Sequence, residues 1–176
     1  MRKILFVSIL MTGCLISQAQ LADSIKAQLI GDWTRAKAYT KEYLDVVPKD
    51  KYSFKAQDSI RSFAQQMLHL AQANINLGTN GVGKPPIWMG ASLENSKTAQ
   101  SADSVMYYVM TSYDYVIDGV KNMDPNKLLE VAGRGRFMLT RFGWLTKAFE
   151  HQTHHRGQST IYIRLMGIKP PNERLF

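Results

Sequence analysis

Along most of this chain apolar residues recur at steps of three and four, the spacing of helices that bury one face. The first run, about Leu21 to Val47, puts Ile25, Leu29, Trp33, Ala36, Tyr43 and Val47 on one stripe, and Pro48 ends it. The second runs from about Ser59 to Leu77, with Ile60, Phe63, Met67 and Leu70 on one side and Gly78 as its stop. The third spans about Ala102 to Asn122, with Val105, Val109, Ser112, Val116 and Val120 inward. Tyr107, Tyr108, Tyr113 and Tyr115 flank that stripe and read as packing, with no cofactor implied. The fourth begins near Phe137 and reaches about Met166, where Gly167 and Pro170-Pro171 close it. The pattern predicts an all-α fold: a four-helix bundle with two short connections and one long one, antiparallel or crossed over. No β-rich run separates the helices, so a parallel sheet is not expected.

The long connection, 78–101, is rich in Gly, Asn, Ser and Pro. Trp88 and Met89 within it call for burial, so the loop is expected to pack over the bundle. Loops of this length commonly carry function, for example as a lid. After Asp124-Pro125, the tetrad Gly133-Arg134-Gly135-Arg136 interrupts the last connection; it lacks the Gly-Lys-Ser/Thr of a phosphate loop.

Composition narrows the class. A chain of 176 residues suggests one domain, and 45% hydrophobic with 20% charged residues suffices for a core without a disorder signature. The net charge of +8 invites an anionic partner, but the basic residues are scattered, so nucleic-acid binding is not expected. Cys14 is the only cysteine, which rules out an internal disulfide.

The N-terminus reads as an export signal. Arg2 and Lys3 precede an apolar run from Ile4 to Ile16, too short to span a membrane, and Ser17-Gln18-Ala19 is a small-x-small cleavage site. Residues 1–19 are therefore expected to be a signal peptide, and residues 20–176 an exported domain, periplasmic or secreted, with no stable membrane span. A lipoprotein site at Gly13-Cys14 is the weaker alternative, because Met11 stands where such sites favour Leu.

Candidate chemistry lies in the fourth run. His151, His154 and His155 are three of the four histidines. His151 and His155 fall on the stripe Trp144, Ala148, His151, His155, Ser159, Tyr162, Met166, so both face inward, where two imidazoles a helical turn apart can grip one ion. His154 lies on the flank, and Glu150 points off the metal line. Gln158 and Tyr162 can supply hydrogen bonds near the pocket, although Tyr162 can equally fill core. His69 shares a face with Ser62, Gln65, Gln66, Ala73 and Asn76. Periodicity leaves two readings of it: a solvated histidine, which the polar face favours, or a wall of an interior cavity.

His-His-Arg-Gly-Gln at 154–158, then Tyr162-Ile163-Arg164, Gly167 and Pro170-Pro171, resembles the C-terminal signature of the DinB/YfiT-like family, which is unrelated to the DNA polymerase sharing that name. Ser62-Phe63 followed by His69-Leu70-Ala71 is similar to that family's first histidine motif, and the resemblance covers about 21–171. It implies a four-helix bundle with a crossover, often a homodimer. It also implies one divalent metal held by His69, His151 and His155, with His154 in the adjacent non-ligating position. Two departures stand out: Asn74 follows where the family often has an acidic residue, and the export signal is unusual in a mostly cytoplasmic family.

Three neutral imidazoles suit zinc, nickel or iron and leave a position open for water or ligand. Relatives imply a metal-dependent hydrolase or thiol S-transferase acting on a small molecule the sequence does not identify. Export speaks against thiol transfer, whose cosubstrates are mainly cytoplasmic. The alternatives are a non-catalytic metal or small-ligand binding module, and a structural bundle without metal.

Overall fold

The computed structural model describes the backbone of residues 2–176 and the side chains of residues 20–176. The side chains of residues 1–19, on which the signal-peptide reading and Cys14 fall, lie outside that description. Four helices carry the fold: α1 (Arg2–Asp45), α2 (Phe63–Val82), α3 (Ala102–Asn122) and α4 (Arg141–Leu165). Helices α1 and α2 each pack on both α3 and α4. Hence α1 and α2 occupy one diagonal of the bundle, α3 and α4 the other, and the connections α1–α2 and α3–α4 cross over. All three connections are long (46–62, 83–101 and 123–140) and carry short 3-10 turns, so the expected two short links are not found.

The stripes on α1, α3 and α4 are inward as the spacing predicts. Trp33, Val105, Val109, Val116, Ala148 and Ser159 are fully or almost fully buried. Trp33 sits edge-on to Tyr113 of α3 and Phe149 of α4, at ring separations of 5.7 and 5.5 Å, and ties three helices together.

Helix α2 differs from its sequence reading at both ends. It starts after Ser62, whose side chain accepts from Gln65 N while the Gln65 side chain accepts from Ser62 N, a capping box. Ile60, expected on the inner stripe, precedes the helix and is exposed. The stop is Gly83, in the left-handed region at φ 70°, and the helix runs through Gly78 and Gly81. Those two glycines are contact points instead of caps. A Cβ at Gly78 would lie 2.8 Å from Val116, and one at Gly81 would lie 2.7 Å from Leu145. Lacking side chains there, α2 lets α3 and α4 approach closely as its two neighbours.

The fourth helix starts later than expected. Residues 131–140 form a hairpin of β1 (Val131–Arg134) and β2 (Phe137–Thr140), with Arg134 paired to Phe137 across a two-residue turn. Gly135 takes φ 61° at the first turn position, as a hairpin turn of the mirror-image type requires. The Trp144 indole of α4 donates to the Ala132 carbonyl at 3.0 Å and pins the hairpin to the bundle. Thr140 then caps α4 by accepting from Gly143 N.

In the 83–101 connection Trp88 packs edge-on against Tyr108 at 5.0 Å, but Met89 is 79% exposed, contrary to expectation. Buried Leu93 and Ala99 anchor the segment that follows.

A polar seam threads the core. Arg156 of α4 is 6% exposed. It donates to Gln152 Oε1 at 2.7 Å and reaches Thr40 of α1 at 3.4 Å. Its guanidinium lies 4.7 Å from the centre of the Tyr39 ring. Tyr113 of α3 bonds to both Thr40 and Gln152 at 2.7 Å, and Asn74 of α2 donates to Ser112 of α3 at 3.1 Å. Every helix contributes to the seam.

Candidate metal centre

His151 and His155 project from α4 one turn apart, as the spacing predicts, with their Nε2 atoms 3.2 Å apart. His69 comes from the middle of α2, and its ring centre lies 5.2 Å from that of His151 and 4.6 Å from that of His155. One nitrogen from each ring can be chosen so that all three lie within 4.8 Å of one another. Among the described residues this is the group of histidine, cysteine and acidic side chains that can hold a metal ion. His154 is exposed on the flank and touches the cluster only through the edge of the His155 ring, at 5.0 Å.

His69 was the uncertain member, and packing explains its place. Its helix packs against α3, α4 and the 83–101 connection, so the polar face meets α4 and that connection instead of bulk water. His69 is accordingly half-buried, with 29% of its side chain exposed.

The donor set fits a divalent ion. Two imidazole nitrogens bound tetrahedrally at about 2.0–2.1 Å stand about 3.3 Å apart, close to the separation on α4. All three rings favour the neutral form that ligation needs. Burial, and then the charges of His151 and His69, push His155 down to about 3. Burial also lowers His151, helped by the charges of His69 and His154, and lowers His69, helped by Arg61.

Outer contacts decide which ring nitrogen is free. Glu94 Oε2 lies 3.1 Å from His69 Nδ1. A proton on Nδ1 directed at this carboxylate leaves Nε2 unprotonated toward the cluster, the carboxylate–histidine arrangement common behind metal ligands. Arg61 Nε holds Glu94 at 2.6 Å. Burial pushes Glu94 upward, but the hydrogen bond and charge of Arg61, followed by those of His69, outweigh it and keep the carboxylate ionised. Tyr162 fixes Arg61 in turn by donating to its carbonyl at 2.9 Å, so Tyr162 both fills core and supports the site. On His155, the Gln66 amide nitrogen lies 2.8 Å from Nδ1 and also donates to Gln158 Oε1. Ligation through Nε2 needs a proton on Nδ1, and so a Gln66 amide turned about to present its oxygen to the ring. His151 Nδ1 is buried without a hydrogen-bond partner, so only its other nitrogen fixes that ring.

Sequence reasoning missed Glu94 and Arg61. Neither belongs to a periodic stripe, since both lie in connections that only the fold brings to His69. Gln66, beside His69 on the polar face, meets His155, and Gln158, which the sequence offers as a hydrogen-bonding residue, meets Gln66. Glu150 is exposed and paired with Lys147 at 2.7 Å, off the metal line as its spacing indicates.

Two clefts lie near the cluster, one against the outer partners of the rings and one against His151 itself. A polar one of about 600 Å³ is lined by Arg61, Gln66, Glu94, Gln158 and Tyr162. The other, about 630 Å³, lies between the hairpin and α4 and reaches His151 and His154.

The fold has known counterparts. A DinB-like protein of Bacillus cereus superimposes with a TM-score of 0.70 at 18% identity, over 83% of this chain and 95% of that one. A DinB-like protein of Bacillus subtilis gives 0.63 at 20% identity, over 85% and 96%. A search of curated proteins finds no match. The sequence model of the DinB family matches residues 19–174, nearly the whole chain, and on that match this chain belongs to the DinB family.

Proposed function

We propose that the protein is an exported metalloenzyme in which His69, His151 and His155 hold one divalent ion, zinc, nickel or iron, for a group-transfer or hydrolytic reaction on a small molecule. The observation that carries this reading is the convergence of three neutral, half-buried or buried imidazoles, one of which, His151, also lines a cleft. When bound, an ion on three imidazoles supplies an open position at which water or a thiol is acidified. The chain's own groups do the rest. Glu94 and Gln66 orient two of the rings, and the polar cleft offers hydrogen bonds from Gln158 and charge from Arg61 to a bound molecule. Glu94 is committed to Arg61 and His69, which leaves it poorly placed to remove a proton from substrate.

The direct test is elemental analysis of the purified protein after exposure to each metal, followed by a turnover screen with thiol and ester substrates. About one ion per chain, with turnover that a chelator stops, is the expected result. Metal without turnover would leave a binding module, and no metal at all would leave a structural bundle.

Glu94→Gln keeps the shape of the His69 contact but removes its charge. Metal affinity measured against a chelating dye should fall about 10- to 100-fold, the usual cost of losing an outer partner. An unchanged affinity would show that the carboxylate does not orient His69.

Export is the remaining part of the proposal. Among the described residues no helix is long and apolar enough to cross a membrane. Mass spectrometry of protein from its native host should find Gln20 at or very near the N-terminus. Intact Met1, or a lipid on Cys14, would overturn it.

A further inference from the structure

The cleft between the hairpin and α4 has features that the histidine cluster alone does not require. Its wall includes Phe137, Met138 and Leu139 of β2, with Trp144 and Leu77 beneath. These three consecutive β2 side chains are 60%, 49% and 40% exposed. Single exposed apolar residues are ordinary, but an unbroken apolar run lining a concave space marks a binding surface. At about 630 Å³ the space is of the size that holds small molecules.

Charge sorts the occupants. Lys147 and Glu150 on the rim are bonded to each other and cancel. Arg136 makes no ion pair with a carboxylate among the described residues, and its guanidinium stands 5.0 Å from the centre of the Phe137 ring. The cleft is therefore apolar inside with one uncompensated cation at its mouth. His151 belongs both to this cleft and to the histidine cluster, so a molecule lying in it ends at the proposed reaction centre.

We propose that this cleft binds a small amphipathic anion: an apolar body against Phe137, Met138 and Trp144, with a carboxylate or similar group on Arg136. This names the substrate class of the proposed enzyme and rests on that reading for its catalytic meaning, while binding itself needs only the hairpin and α4. A concave site of this size with a histidine in its wall suits a small molecule better than a protein surface.

The test is calorimetric titration of the full chain with octanoate, octan-1-ol and octylamine, in the zinc-exposed and the chelator-treated protein. Octanoate should bind at least about tenfold tighter than octylamine in both states, because cation and apolar wall act together. Arg136→Ala should remove that preference while leaving octan-1-ol unchanged, and Phe137→Ser should weaken all three ligands. Both positions are exposed, so these variants should fold, and a melting curve verifies this. Octanoate binding no tighter than octylamine, or binding that neither substitution changes, overturns the proposal. So does a dimer that Phe137→Ser dissociates while octanoate fails to bind, since a second copy would then be the occupant. Metal content is measured on the same samples. Loss of the metal reading with octanoate binding intact is thus distinguishable from failure of the cleft.

Discussion

Replacing His155 by alanine is expected to abolish metal binding and to remove the stabilisation that metal confers. The ring is 7% exposed, sits 3.2 Å from its partner on α4 and is held from behind by Gln66. Losing a direct ligand should cost more than the 10- to 100-fold typical of outer partners. A ligand at about a thousand times its dissociation constant stabilises a fold by about 4 kcal/mol, or on the order of 10 °C for a domain of this size. Wild type should gain an increment of that order from saturating metal, and His155→Ala and His151→Ala should gain almost none. His154→Ala should behave as wild type, because its ring is exposed on the flank. Melting each protein with metal and with chelator separates the lost ion from the packing defect that His155→Ala also creates. If His154→Ala loses the increment and His155→Ala keeps it, the cluster has been assembled from the wrong ring.

Acid should weaken the metal-free protein in a defined window. Folding takes His155 from an ordinary 6.5 down to about 3. Below the ordinary value the unfolded chain therefore binds a proton that the folded chain refuses, and stability must fall as pH falls. The contribution is complete above about 6.5 and is lost progressively down to about 3, and His69 and His151 shift in the same direction. Two pH units below the unfolded value, one such group costs about 3 kcal/mol. Urea midpoints with chelator, at pH of about 7 and about 4.5, should drop steeply for wild type and less for His155→Gln. Equal drops would mean that His155 titrates normally in the folded state. Metal affinity should decline in the same direction, since protons compete for the same nitrogens.

How much of this was legible in the sequence depended on how each residue is positioned. The α4 pair was readable because one regular helix fixes both rings, and an apolar stripe states which way they face. His69 was not readable from periodicity, because α2 is covered on two sides and its polar face meets α4 instead of solvent. The motif supplied what periodicity could not. Gly78 looked like a helix end because glycine commonly ends helices, yet its lack of a side chain is spent on the approach of Val116. The hairpin was lost for a different reason. Phe137-Met138-Leu139-Thr140 is a short apolar run, and such runs do not distinguish a strand from the first turn of a helix. Glu94 carries no local signal at all, since only the path of the 83–101 connection brings it to His69.

The polar seam around Arg156 bears on which arrangement of helices the chain adopts. Four amphipathic helices joined by long links can be stacked in several orders, and apolar stripes alone distinguish those orders weakly. A buried guanidinium is less forgiving. Rotating or displacing α1, α3 or α4 would separate Thr40 and Tyr113 from the Arg156–Gln152 pair of α4 and leave a buried charge poorly satisfied, at a cost of several kcal/mol. The correct arrangement is stabilised little by the seam, but its rivals are penalised heavily. Arg156 thus acts as a key cut for one lock: it widens the energy gap between the native packing and its decoys, and the two α4 histidines inherit a fixed position from that choice.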